Sequence, residues 1–103
     1  MFTSERYATR GINNKLGLDL QLLLWMLIDK RKETGIEVDY LQVFELSVIQ
    51  KNGVAVQSVI YRQECPPASD TYYFPLLAEE PIKGAVWAID SNEYCMMLLP
   101  EEY

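Results

Sequence analysis

Apolar and polar residues alternate along this chain with two periods, and the change of period divides it. From Leu18 to Thr34 apolar positions recur every three or four residues, the spacing of a helix. At a helical turn of 100° per residue, Leu20, Leu23, Leu24, Leu27 and Ile28 share one face, the side meant for a core. Leu18, Leu22, Trp25 and Met26 fall nearly opposite, among Gln21, Asp29, Lys32 and Glu33. Asp19 places negative charge, or the cap itself, in the first turn. Lys30, Arg31 and Lys32 crowd the last turn, where the helix dipole favours cations, and Gly35 stands where a terminating glycine belongs. One sheet covers only one of these stripes. The second must be covered by strands that wrap round, by the N-terminal arm, or by another protein.

Outside the helix the period falls to two. A short strand is expected around Arg6 to Arg10, ended by Gly11 and a turn at Asn13-Asn14. Residues 40–50 and 54–64 form a hairpin, because Asn52-Gly53 between them is a strong type I′ signal. A two-residue loop sets Leu46 opposite Val59 and Phe44 opposite Tyr61, with Val48 beside them on an apolar face. The other face mixes Glu45, Ser47, Ser58 and Arg62 with Val43, Ile49, Val56 and Ile60, as a half-exposed surface does. Pro66-Pro67 breaks the pattern, and Ser69-Asp70 has the character of a polar turn. Thr71 to Leu77 is a short aromatic strand that Pro75 confines to an edge. Ala85 to Asp90 and Tyr94 to Leu99 form a second hairpin across Ser91-Asn92, gathering Trp87, Ile89, Tyr94, Met96 and Leu98, and residues 100–103 close as a tail. The second hairpin also has the option of pairing edge to edge with a copy of itself. The expected architecture is a single α+β domain, residues 1–103: one amphipathic helix packed on a bent, mainly antiparallel sheet or open barrel of about five to six strands.

A chain of 103 residues buries enough surface to fold without metal or crosslinks. It has no histidine, which excludes His-bearing zinc, haem and triad sites, and its two cysteines cannot complete a four-thiolate zinc site. The longest apolar run, Leu22 to Ile28, is far short of the ~20 residues of a membrane span. The opening MFTSERYATRG lacks the apolar core of a secretion signal, so a cytoplasmic location is expected. Cys65 and Cys95 then stand as reduced thiols, with an internal disulfide as the alternative. Net charge is −6 and unevenly spread: residues 1–36 sum to +2 and residues 37–103 to −8. Nucleic-acid binders show the opposite field.

Candidate chemistry is sparse. Glu79-Glu80 and Glu101-Glu102 are adjacent, so on extended chain their members point to opposite sides, as solvated loop charge rather than a shared-proton dyad. Asp90, Asn92 and Glu93 lack the length and glycine of a calcium loop and form a turn. Cys95 alternates within an apolar strand as packing, while Cys65 beside Pro66 is exposed and a modest redox candidate. The five glycines are scattered, with no phosphate-binding loop. No catalytic residue, metal site or cofactor is therefore expected, and the chain has the character of a non-enzyme.

Three readings of function follow. The first is a protein-protein interaction or regulatory module. Its surface is Leu18, Leu22, Trp25 and Met26, joined by Arg6 and Arg10, with Trp25 as the buried anchor such interfaces favour. The partner is a second copy, giving a dimer, or an unidentified protein, and no membrane is involved. A Trp25 already covered within one chain would remove this assignment. The second reading is a small-ligand or catalytic pocket between helix and sheet, lined by Tyr40, Tyr61, Tyr72 and Tyr73 with Glu45 or Arg62 as its charged member. Ordinary packing of amphipathic tyrosines competes with it. The third, single-stranded nucleic acid held by Arg6, Arg10 and Lys15, is opposed by the acidic second half. An acidic domain imitating nucleic acid fits the charge and nothing more specific.

Four segments carry a resemblance that spans nearly the whole chain. They are Arg6-Tyr7-Ala8-Thr9-Arg10-Gly11-Ile12, Leu20-Gln21-Leu22 through Trp25 to Ile28-Asp29, Asp39-Tyr40-Leu41-Gln42-Val43-Phe44-Glu45-Leu46, and Met97-Leu98-Leu99-Pro100-Glu101-Glu102-Tyr103. In their order and spacing the chain resembles domain-of-unknown-function family 960, small bacterial proteins of low-GC Gram-positive bacteria. The resemblance implies a free-standing cytoplasmic protein and supplies no catalytic residues.

Overall fold

The computed structural model describes residues 1–76 and 79–103. Strand β1 (Arg6–Ala8) leads into a short helix α1 (Arg10–Lys15) and the long helix α2 (Leu18–Glu33). Strands β2 (Leu41–Lys51), β3 (Val54–Gln63), β4 (Ala68–Phe74), β5 (Gly84–Asp90) and β6 (Cys95–Leu98) follow, and a 3₁₀ turn over Pro100–Glu102 closes the chain. The strands form one open sheet in the order β1-β6-β5-β2-β3-β4. All neighbours are antiparallel except β1 and β6. The α+β class stands, the barrel alternative gives way to an open mixed sheet, and the expected single helix is joined by the short α1.

The central hairpin has the register that its two-residue loop demands. Phe44 faces Tyr61 and Leu46 faces Val59. Asn52 and Gly53 have φ of +52° and +80°, the positive pair a type I′ turn requires. Leu20, Leu24, Leu27 and Ile28 of α2 are fully buried on one face of this sheet, against Phe44, Leu46, Val59, Tyr61, Val86, Ala88 and Met97. Burying each large apolar side chain contributes about 1.5–3 kcal/mol, so this layer dominates the stability.

Four local expectations need correction. Arg10 begins α1 rather than ending a strand, because Thr9 caps the helix by accepting from the Ile12 N–H at 3.2 Å. Ser69 and Asp70 lie inside β4, paired with Arg62 and Tyr61, and the turn falls at residues 64–67 around the cis Cys65-Pro66 bond. Strand β4 is an edge and stops before Pro75; Leu77 lies outside the described residues. The final residues fold back: Glu102 reaches Thr9 and Gly11, and the Tyr103 ring meets Trp87 edge-on with centroids 5.6 Å apart.

A polar network lies beneath the C-terminal end of α2. Arg31 is 4% exposed and stacks over the Tyr61 ring at 3.6 Å. Its guanidinium donates to Gln42 Oε1 at 3.3 Å, the Tyr61 carbonyl at 3.1 Å and Asp70 at 3.1 Å. The Tyr61 hydroxyl donates to the same Gln42 oxygen. Gln42 Nε2 donates onward to Gln63, whose own amide donates to the Glu37 and Pro66 carbonyls at 2.9 Å each. Buried polar groups need partners, and this set fastens the α2–β2 connection and the 64–67 turn to the sheet.

Candidate functional site

Helix α2 starts without a side-chain cap of its own, since Gly17 is its N-cap. Glu79 supplies one from across the chain, accepting from the Asp19 and Leu20 N–H groups at 3.2 and 3.3 Å. A Cβ at position 17 would collide with that carboxylate, so the glycine permits the approach. Glu102 serves α1 in the same way, accepting from the Gly11 N–H and the Thr9 hydroxyl. Those hydrogen bonds, that of Thr9 foremost, hold its carboxyl below its ordinary pKa. The two acidic pairs thus each provide one helix cap, a role that adjacency in sequence does not reveal.

With its inner face committed, α2 shows Leu18, Leu22 and Met26 to solvent at 65, 56 and 49% exposure. The three stand four residues apart and form one ridge along the helix. A groove of about 350 Å³ runs down one flank, bounded by Asp19, Leu22, Leu23, Met26, Pro75 and Leu76. A second, of about 290 Å³, runs down the other flank between the ridge and β1, with Arg6, Tyr7, Ala8 and Gln21 in its wall and Trp25 in its floor.

Trp25 is therefore misplaced as an anchor. It is 8% exposed, covered by the Phe2 ring at 6.5 Å between centroids and by the Arg6 guanidinium at 5.0 Å. Phe2 is itself buried, its backbone N–H donating to Asp90 at 2.6 Å. The N-terminal arm thus swallows the tryptophan, and the docking surface assigned to Leu18, Leu22, Trp25 and Met26 with Arg6 and Arg10 is removed by the criterion set for it; what stays exposed is the narrower row Leu18, Leu22 and Met26. Arg6 is equally occupied: it chelates the Asp29 carboxylate, with one of the two bonds at 3.0 Å. That hydrogen-bonded pairing raises the Arg6 pKa and lowers the Asp29 pKa. Arg10 is exposed in the first turn of α1, outside both grooves.

The tyrosine pocket does not form. Tyr61 is buried, stacked on Phe44 at 4.7 Å. Tyr72 shares its face of the sheet and borders a surface cleft of about 280 Å³ with Lys30, Arg31 and Asp70. Tyr73, Glu45 and Arg62 lie on the opposite face, where the last two pair at 3.2 Å, and Tyr40 is exposed before β2. Strand alternation, combined with the register, separates the six. The phosphate-binding trio fares no better, because Asp29 already neutralises Arg6.

Cys65 is exposed and Cys95 buried, both as free thiols, and burial pushes the Cys95 thiol up. Among the described residues no group of three or more His, Cys, Asp or Glu side chains stands close enough to hold a metal, and no helix is long and apolar enough to cross a membrane.

A family model described as "Staphylococcal protein of unknown function (DUF960)" matches residues 5–102. The chain belongs to that family. The DUF960 match runs from β1 to the closing turn and so takes in the ridge, both grooves and both glutamate caps. No curated protein matches the chain. A solved structure described as "Crystal structure of the protein of unknown function from Enterococcus faecalis" is similar to it over 97% of this chain and 91% of that one. The two are 25% identical, with a TM-score of 0.78. This DUF960 chain therefore shares its fold along almost its entire length with a protein from Enterococcus faecalis.

Proposed function

We propose that this DUF960 protein is a non-enzymatic interaction module whose working surface is the Leu18–Leu22–Met26 ridge and its two grooves, and whose occupant is an apolar helix of a partner protein. The observation that supports it is the ridge: three large apolar side chains stay about half exposed or more on a helix whose other face is buried against the sheet apart from the half-buried Leu23. A row at i, i+4 and i+8 with a groove on each side is the surface that ridges-into-grooves helix packing uses. This ridge is a different surface from the one expected around Trp25: Leu22, shared by both grooves, takes the central place, and Trp25 acts only as the floor. The net charge of −6 favours a basic partner in the approach.

Photo-crosslinking in the native cells tests this. A photoreactive residue at position 22 is expected to give a discrete adduct with one protein, shared with position 26 and absent from position 52 at the exposed hairpin tip. Adducts equal at all three positions, or none at 22 and 26, would remove the ridge from this role.

A further inference from the structure

The face of the sheet turned away from α2 is the larger unexplained surface. Alternation and register place Tyr7, Leu41, Val43, Ile49, Val54, Val56, Ile60, Tyr73, Trp87, Ile89, Met96 and Leu98 on it. Among the described residues no α-helix packs there, and the closing turn covers one corner by setting the Tyr103 ring on Trp87; the long helix and its core cluster lie on the other side, and Val43, Val56 and Leu98 are buried yet stand outside that cluster. Tyr7, Val54, Ile60 and Tyr73 remain 36–59% exposed. The β2–β3 hairpin also overshoots its neighbours. Strand β5 pairs with β2 only as far as Leu46, and β4 pairs with β3 only from Gln57 onward. Its tip is a two-stranded ribbon carrying Ile49, Val54 and Val56 on this same face, and such ribbons are marginal in water unless covered.

We infer that this face is the interface of a homodimer in which two sheets pack face to face, independently of the α2 ridge. Two observations select a second copy as the occupant. The first is charge. The chain carries −6, but the strand residues on this face include only Glu45, Lys51 and Arg62 among charged types. Glu45 and Arg62 neutralise each other at 3.2 Å, and Lys51 lies over the Tyr73 ring at 4.9 Å. Glu5 borders the face, accepting from the Tyr7 hydroxyl at 2.6 Å, and two acidic copies repel less across this surface than across their more heavily charged ones. The second is area. Six strands of 3, 11, 10, 7, 7 and 4 residues, at about 4.8 Å between strands and 3.3 Å per residue, give roughly 670 Å² of plan. A stable interface buries about 800 Å² per partner, the same order as that plan, to which the already buried Val43, Val56 and Leu98 add little. Facing sheets with their strands about 30° apart are a standard mode of association.

Light scattering coupled to size exclusion, over a wide range of protein concentration, reads the result directly. The parent chain is expected at twice its 11.9 kDa mass. Ile60→Lys and Tyr73→Lys change exposed side chains and so keep the parent far-UV dichroism, and each is expected to weaken the dimer at least about tenfold. Leu22→Glu, on the opposite layer, is expected to leave the mass unchanged. A parent chain that is monomeric throughout would overturn the inference. So would a dimer indifferent to Ile60→Lys and Tyr73→Lys, or one broken by Leu22→Glu.

Discussion

Replacing Trp25 with alanine separates the two faces of α2 most sharply. Trp25 is 8% exposed and fills the space beneath Phe2 and Arg6. Truncating a buried tryptophan costs about 3–5 kcal/mol, from lost transfer free energy and the cavity left behind. The Arg6 guanidinium over the ring adds about 0.5–1 kcal/mol at such a partly exposed site. Leu22, one turn away and 56% exposed, touches little that folding needs, and Leu22→Ala belongs within about ±0.5 kcal/mol of the parent. A domain of this size holds about 5–15 kcal/mol in total, so Trp25→Ala removes about a fifth of it or more while Leu22→Ala removes almost none. Urea unfolding followed by far-UV dichroism, with Trp87 emission as a second probe, gives both numbers. The Trp25→Ala midpoint should fall at an unchanged slope, and its melting temperature should drop by at least about 12 °C. A Trp25→Ala loss of under about 1 kcal/mol, or a Leu22→Ala loss exceeding it, would refute the division of the helix into a structural and a free face.

Three further outcomes follow from the same geometry. Arg31→Ala should cost about 2 kcal/mol, because it strips the stacking from Tyr61 and a donor from Gln42, whereas Asp70→Asn should cost under about 1 kcal/mol since Asp70 is largely solvated; urea midpoints of the two variants compare them. Asp29 is held below its ordinary pKa by Arg6, so its contribution is present at neutral pH and disappears as pH falls through the folded-state value. Asp29→Asn should flatten the acid limb of the stability-pH curve, and an acid limb of unchanged steepness would remove the pair from this role. Glu79→Ala should destabilise by about 1 kcal/mol and fray the first turn of α2, seen as faster amide exchange at Asp19 and Leu20 than in the parent.

What the sequence disclosed was what local rules govern. The extent of α2, its terminating Gly35 and the register of the central hairpin follow from period, caps and one turn dipeptide, and all three stand in the structure. What escaped depends on contacts between distant parts. Phe2 over Trp25 joins positions 23 residues apart, and nothing in a polar N-terminal arm marks its one buried phenylalanine. Glu79 and Glu102 cap helices 60 and 91 residues away, measured to Asp19 and Gly11. The parallel β1–β6 pairing needs the chain's two ends to meet, which hairpin logic does not supply. The tyrosine constellation failed for a simpler reason: alternate residues of paired strands face opposite ways, so Glu45, Arg62 and Tyr73 lie on the outer face, away from Tyr61. Of the six residues first assigned to the docking surface, Leu18, Leu22 and Met26 are exposed as required, Arg6 and Trp25 are tied into the fold, and Arg10 stands apart.

The most direct test of the account joins stability and binding in one variant. Leu18, Leu22 and Met26 are changed together to glutamate. Its urea midpoint is measured beside its affinity for the protein that position 22 captures. The variant is expected to stay folded within about 1 kcal/mol of the parent, with the affinity lowered at least about a hundredfold. A variant that unfolds, or one that binds as tightly as the parent, would contradict the claim that this ridge is reserved for a partner.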